Sequence, residues 1–181
     1  LLTDGKGGLY QAEIVQAVAQ TCVCRVERQL EDTQKRDYHI HIALAPTKNN
    51  ARTEWFVEKA VEMGIDEVSL FESRYSERTN VKTERLEKVV ISALKQSFKA
   101  NITAINPIVD FKTLVDSAKE QYKFIATCEG DQRAKLKDCY HQGGDVIVLI
   151  GPEGDFSENE VAYAEERGFR PITLGEARLR T

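Results

Sequence analysis

The chain has 181 residues, 41% of them hydrophobic and 30% charged, and a formal net charge of −4. That balance describes a globular protein of one ordinary domain, or one domain with an appendage, able to bury a core without disulfide or metal staples. It excludes a transmembrane helix, since no apolar run nears the ~20 residues that cross a bilayer, and it argues against a uniformly basic nucleic-acid binder. The opening, Leu1-Leu2-Thr3-Asp4-Gly5-Lys6-Gly7-Gly8, has no apolar signal core and no initiator Met, so the sequence is expected to begin partway into a longer protein. Residues 10–15 and 21–26 are short, rich in β-formers and read as strands. Residues 27–37 are charged and read as a strand end and linker. The first 36 residues are too few for a core of their own, which makes them part of a barrel or an appendage.

From residue 38 onward strands and helices alternate. Residues 38–44 predict a strand with Ile40, Ile42 and Leu44 on one face. Asn50 is placed to cap a helix running to Met63 and stopped by Gly64, with Phe56, Ala60 and Met63 as its apolar stripe. Residues 67–71 read as a strand. Thr83 is placed to cap a long helix carrying Leu86, Val90, Ala93, Leu94 and Ser97 on one side. Asp110 caps a shorter helix to Ala118, and residues 122–127 form a strand. Residues 145–150 are a continuous apolar run of the kind found in buried parallel strands. Ser157 and Glu160 make a capping box for a helix ending near Gly168, and residues 171–174 are the last strand. This alternation predicts an α/β domain over residues 37–181, with a mostly parallel sheet and helices on both faces.

The four cysteines, Cys22, Cys24, Cys128 and Cys139, contain no CxxC pair, and His39, His41 and His141 complete no ligand set, so no metal is expected. Cys22 and Cys24 share a strand face and read as small packing groups. Free thiols suit a reducing, cytoplasmic setting. The charge is unevenly spread. Residues 73–100 carry seven bases (Arg74, Arg78, Lys82, Arg85, Lys88, Lys95, Lys99) against three acids (Glu77, Glu84, Glu87). Such a tract is either a solvated helix face or a surface that meets phosphate.

Open parallel sheets bind ligands beyond the carboxyl ends of their strands. Three loops leave such ends: 127–130, 151–156 and 175–180. In the second, Gly151 and Gly154 allow close approach of backbone to a ligand and Pro152 fixes a backbone angle. It lacks the Gly-Lys-Ser/Thr end of a Walker loop and is not GxGxxG. Glu153 and Asp155 oppose a phosphate-only site and suit a ligand with positive charge or hydroxyl donors. A plain tight turn is the alternative. The third loop sets Arg178 and Arg180 on one side if extended, as ligand contacts or as surface partners of Glu176. A Ser-His-Asp hydrolase is disfavoured, because Ser157 is already a helix cap and no histidine lies near it in sequence.

Leu149-Ile150-Gly151-Pro152-Glu153-Gly154-Asp155-Phe156-Ser157, followed by Glu160, resembles the signature of 16S rRNA (uridine-N3)-methyltransferases of the RsmE type. Leu174-Gly175-Glu176-Ala177-Arg178-Leu179-Arg180-Thr181 resembles that family's second signature. Glu58-Lys59-Ala60-Val61-Glu62-Met63-Gly64-Ile65, Ser73-Arg74-Tyr75-Ser76-Glu77-Arg78 and Lys95-Gln96-Ser97-Phe98-Lys99 are similar to its intervening motifs. The likeness spans residues 38–181, and the first 36 residues resemble the tail of its PUA-like, RNA-binding barrel. Asn50-Ala51-Arg52-Thr53 departs from the family's Asp-Arg-x-Glu run but keeps Arg52. The first half of the barrel and the closing helix after the second signature are not in this sequence.

The resemblance implies a SPOUT-class domain with a trefoil knot, a rare exception to unknotted topology. It implies a homodimer, S-adenosylmethionine as cofactor, no metal, and small-subunit ribosomal RNA or the assembled small subunit as substrate. Carried over, the cofactor site comprises Thr127, Glu129, Ile150, Gly151, Pro152, Glu153, Gly154, Leu174, Gly175, Arg178, Leu179 and Arg180. Arg52, Arg74, Arg78 and Lys99 would hold RNA phosphates. The implied reaction is methyl transfer to N3 of a uridine that has left its stack and lost its N3 proton, with Arg180 stabilising the anion. Two other readings use the same residues: a non-catalytic RNA-binding or ribosome-assembly factor, and a nucleotide-binding α/β domain.

Overall fold

The computed structural model describes residues 1–30, 36–128, 133–141 and 143–175. An antiparallel sheet of β1 (Leu2–Thr3), β2 (Leu9–Val18) and β3 (Thr21–Leu30) opens the chain. β3 runs on to Leu30, so residues 27–30 of the charged stretch are the strand end expected of it. Ile14, Val15, Val18, Val23 and Val26 are exposed, so this hairpin contributes little burial. Its β1–β2 loop instead grips the segment around Ala100. The Gly7 N–H donates to Ala100 O (3.1 Å), the Ile102 N–H to Gly5 O (2.9 Å) and the Thr3 hydroxyl to Ala100 O (2.9 Å). The Cys22 and Cys24 sulfurs lie 3.7 Å apart, on one face as alternation requires. Cys22 is exposed, so the pair does not pack as small hydrophobes.

The rest is an α/β unit. In chain order come β4 (Ile40–Leu44), α1 (Asn50–Met63), β5 (Glu67–Glu72), α2 (Thr83–Ser97), β6 (Ala104–Asp110), α3 (Phe111–Ser117), β7 (Tyr122–Ala126), β8 (Ala134–Lys135), α4 (Leu136–Cys139), β9 (Val146–Ile150), α5 (Glu158–Glu165) and β10 (Arg170–Thr173). The strands form a seven-stranded sheet in the order β6-β5-β4-β9-β7-β10-β8, and every pairing is parallel. Helices cover both faces. Ala43, Ile125, Ile147 and Leu149 pack against Phe111, Leu114, Val115 and Ala164 of α3 and α5. On the other face Val68 and Leu70 meet α1 and α2, while Phe124, Val146 and Val148 meet α4. β9 is fully apolar because both its faces are covered, as its sequence predicts.

Several local expectations shift. Asn49, not Asn50, caps α1, its side chain accepting from the Ala51 N–H (3.0 Å). Lys82 holds the cap position of α2 without a side-chain bond, and Thr83 is the first helical residue. Met63 is 77% exposed; Val57, Ala60 and Val61 carry the buried stripe of α1, because the sheet lies one position round the helix from that expectation. β6 was not expected at all. Pro107 sits inside it, which an edge strand tolerates and a central one does not.

Candidate functional site

The strand order, not the chain order, builds the site. β9 inserts between β4 and β7, and β10 lies beyond β7. Leu44 pairs with Ile150, Ile150 with Ala126, and Ala126 with Ile172, so four strands end at one level. The loops after them meet there, at the place where the sheet changes direction and open α/β sheets bind ligands.

Three carboxylates fix these loops. The Asp155 carboxylate accepts from the Thr127 hydroxyl (3.1 Å) and the Cys128 N–H (2.6 Å) through Oδ2, and from its neighbour Phe156's N–H (2.9 Å) through Oδ1. It thereby ties the β9 loop to the end of β7. Asp155 has φ 62°, a left-handed conformation that Asp tolerates better than most residues. Glu153 Oε1 accepts from the Lys48 N–H (3.2 Å), joining the same loop to the end of β4. Glu160 closes the capping box of α5 with Ser157 and also accepts from the Arg74 N–H (2.8 Å) after β5. Among the described residues none of these three carboxylates has an ion-pair partner. Glu153 and Asp155 put negative charge on the glycine loop itself, which suits a cationic or hydroxyl-bearing ligand there, while Arg74 and Arg78 stand on the neighbouring turn.

The glycines are required by contact. A Cβ on Gly151 would lie 3.0 Å from the Phe156 ring, and one on Gly154 would lie 3.0 Å from Tyr75 Cβ. Beside the end of β10, Leu136, Tyr140, Thr173, Leu174 and Gly175 line a cavity of about 710 Å³. The Thr173 hydroxyl donates to Gly175 O (2.8 Å) and sets the direction of the chain there.

Of the expected cofactor residues, Thr127, Ile150, Gly151, Pro152, Glu153 and Gly154 gather at the switch point, with Leu174 and Gly175 at the adjoining strand end. Glu129, Arg178, Leu179 and Arg180 lie outside the described residues. The four expected phosphate contacts do not form one patch. Arg74 and Arg78 follow β5 at the carboxyl edge, and Arg78 donates through Nε and a terminal nitrogen to Lys48 O (3.2 and 2.9 Å). Arg52 is half-buried on the first turn of α1, with no ion pair among the described residues. Lys99 is at the opposite edge. Its Nζ lies 3.8 Å from where a Gly64 Cβ would be, at the far end of α1. The length of α2, roughly 22 Å at 1.5 Å per residue, separates it from the other three. Asp155 and Tyr75 were not among the expected site residues. Asp155 had a visible signal, an acid in the glycine loop; Tyr75 lay inside the 73–78 motif, but only the fold brings it to Gly154.

The opposite, amino edge holds a second polar cluster. His41 is 6% exposed, and its Nδ1 donates to the ionised Glu120 (2.6 Å). In the neutral ring Nε2 accepts from the Ser69 hydroxyl (2.8 Å), whose oxygen also accepts from the Asn106 amide (2.8 Å). Burial opposes ionisation of Glu120, but the His41 hydrogen bond and nearby backbone N–H groups outweigh it and hold the carboxyl below its ordinary value. The acid–histidine–serine sequence of contacts is that of a hydrolase triad. Ser69, however, is 3% exposed in mid-strand between β4 and β6, where no substrate carbonyl reaches its Oγ. This cluster is a satisfied internal network.

An open parallel sheet with a glycine loop pinned at its switch point defines a ligand-binding α/β domain. The profile of the RNA methyltransferase domain matches residues 34–181, and the chain belongs to that family. It is 29% identical to ribosomal RNA small subunit methyltransferase E of Mesomycoplasma hyopneumoniae, over 96% of this chain and 78% of that protein. A crystal structure described as a probable rRNA-methyltransferase from Porphyromonas gingivalis superposes with TM-score 0.90 at 44% identity, over 99% of this chain and 76% of that one. The Neisseria gonorrhoeae ribosomal RNA small subunit methyltransferase E, solved bound to S-adenosyl methionine, superposes with TM-score 0.85 at 26% identity, over 99% and 75%.

Proposed function

We propose that this protein methylates N3 of a uridine in small-subunit ribosomal RNA, with S-adenosylmethionine as cofactor. The observation that carries the reading is the set of four strand ends at one level, with the Gly151–Gly154 loop held to β7 by Asp155 and to β4 by Glu153.

The residues present fit the cofactor. The cavity beside β10 is within the usual size range of small-ligand sites, roughly 300–1,000 Å³; Leu136, Tyr140 and Leu174 give it an apolar wall, and Lys135 and Lys137 also line it. Glu153 and Asp155 add negative charge beside the same strand ends, which suits a cationic ligand. When bound, the cofactor supplies an electrophilic methyl on a sulfonium. The chain's part is to bind, orient and exclude water. Thr127, Ile150, Gly151, Pro152, Glu153, Gly154, Leu174 and Gly175 shape the cofactor side, together with Glu129, Arg178 and Leu179. Uracil N3 must shed its proton before it can act as a nucleophile, and Arg180 is assigned to stabilise the resulting anion. Glu153 is assigned to the cofactor side and to holding the loop, through its bond from the Lys48 N–H, and not to taking the imide proton. Arg52, Arg74 and Arg78 form the phosphate-binding rim, and Lys99 contributes from the far edge.

The same reading assigns residues 37–181 to a knotted SPOUT domain that works as a homodimer in the cytoplasm. Residues 1–36 become part of a PUA-like RNA-binding barrel. The separate antiparallel sheet and the start of the family match at residue 34 support that division. The test is to incubate the protein with S-adenosylmethionine and small subunits from cells lacking the activity, then identify the nucleosides by mass spectrometry. New 3-methyluridine is expected. Cofactor binding with no methyl transfer to the RNA would overturn the reading.

A further inference from the structure

The turn after β5 presents an aromatic ring at the rim of the glycine loop, and its backbone is fixed from two sides. The Ser76 N–H donates to Ser73 O (3.0 Å) and the Ser73 N–H to the Ser76 hydroxyl (3.0 Å), closing the turn on itself. The Arg74 N–H donates to Glu160, which also caps α5, so the turn is tied to the helix that follows the loop. Between these anchors sits Tyr75. Gly154 is its seat: a Cβ there would lie 3.0, 3.5 and 3.8 Å from Tyr75 Cβ, Cγ and Cδ2. The Arg74 guanidinium lies 5.9 Å from the ring centroid.

Tyr75 is nevertheless 49% exposed, and its hydroxyl makes no hydrogen bond among the described residues. A ring serving only to buttress the loop would be buried, as Phe156 is, stacked on Phe71 and tilted against Phe111 on the inner side of the same loop. Here one edge of the ring rests on the loop and the remainder faces outward, with cations on either side in the chain at Arg74 and Arg78. Chemistry on a base requires that base to be out of its stack, and an extruded base is held by stacking on aromatic side chains.

Resting on the methyltransferase reading above, we propose that Tyr75 contacts the substrate directly, as the stacking surface that holds the extruded uracil against the Gly151–Gly154 loop. The ring thus sets the base's position relative to the cofactor side, and Arg74 polarises the ring and meets a flanking phosphate.

The test compares Tyr75→Phe with Tyr75→Leu. Leucine fills most of the space beside Gly154 but offers no aromatic face. Two quantities are measured for each: affinity for S-adenosylmethionine by calorimetry, and kcat/KM for methyl transfer to unmodified small ribosomal subunits. Tyr75→Phe should stay within about threefold of wild type in both. Tyr75→Leu should keep the cofactor affinity within about twofold and lose tenfold or more in kcat/KM, in line with the worth of one base–aromatic stack. Equal rates for the two variants would overturn the proposal. So would a cofactor affinity that falls in step with the rate, which would make Tyr75 a support for the loop. A wild-type protein that binds cofactor but methylates no ribosomal RNA would overturn the underlying reading, and this inference with it.

Discussion

The two edges of the parallel sheet both carry acids, and they use them differently. At the amino edge each buried or half-buried carboxylate has a basic partner: Asp66 with Arg36, Glu67 with His39, Glu120 with His41. Those acids are hydrogen-bonded to side chains inside the fold, so the edge is a stability element. At the carboxyl edge Glu153, Asp155 and Glu160 accept from backbone N–H groups and from the hydroxyls of Thr127 and Ser157. Their geometry is fixed by neutral donors, and among the described residues no ion pair is formed by any of the three. The proposed function puts the ligand at the carboxyl edge, although both edges display cavities and titratable groups.

The largest expected effect breaks the carboxyl edge alone. Asp155→Ala frees the Thr127 hydroxyl and the Cys128 N–H and releases the glycine loop from β7. Losing charge-assisted bonds of this kind should weaken S-adenosylmethionine binding by about 30-fold or more, and the alanine at φ 62° should lower the unfolding midpoint as well; calorimetry and a thermal melt read the two. His41→Ala breaks the amino edge instead. It strands Glu120 and the Ser69 hydroxyl without their partner and should cost about 2 kcal/mol in urea unfolding, with cofactor affinity unchanged.

The amino edge should also reveal itself through acid. The Glu120 carboxyl is depressed in the fold from an unfolded value of 4.5. Its contribution is therefore fully present above that pH and is lost as pH falls below it, because the unfolded chain then binds the proton more readily. Glu120→Gln should flatten this part of the stability–pH curve relative to wild type, and an unchanged slope would remove Glu120 from the account. The smallest effect sits in the turn after β5, at the carboxyl edge. Ser73 Oγ is buried without a hydrogen-bond partner among the described residues, so Ser73→Ala should stay within about 0.5 kcal/mol of wild type or gain slightly.

Much of this contrast was legible in the residues, and the rest depended on topology. The apolar run of β9, the capping box at Ser157 and Glu160, and Gly64 as the stop of α1 follow from local rules and are found where those rules put them. The caps of α1 and α2 moved by one residue, since adjacent polar residues compete for the same position. β6 was missed because Pro107 argues against a strand unless its edge position is known. The basic tract read as one surface, yet α2 carries Lys99 away from Arg74 and Arg78. Tyr75 and the partners of Asp155 became visible only with β9 seated between β4 and β7. No local pattern encodes that insertion, because it depends on long-range pairing.

The central claim is that the carboxyl edge is the cofactor site. Amide hydrogen–deuterium exchange with and without S-adenosylmethionine tests it most directly. Protection is expected in residues 127–128, 151–156 and 174–175, with residues 39–41, 66–69 and 117–120 unchanged. Protection confined to the amino edge, or a bound cofactor that protects neither edge, would contradict the account.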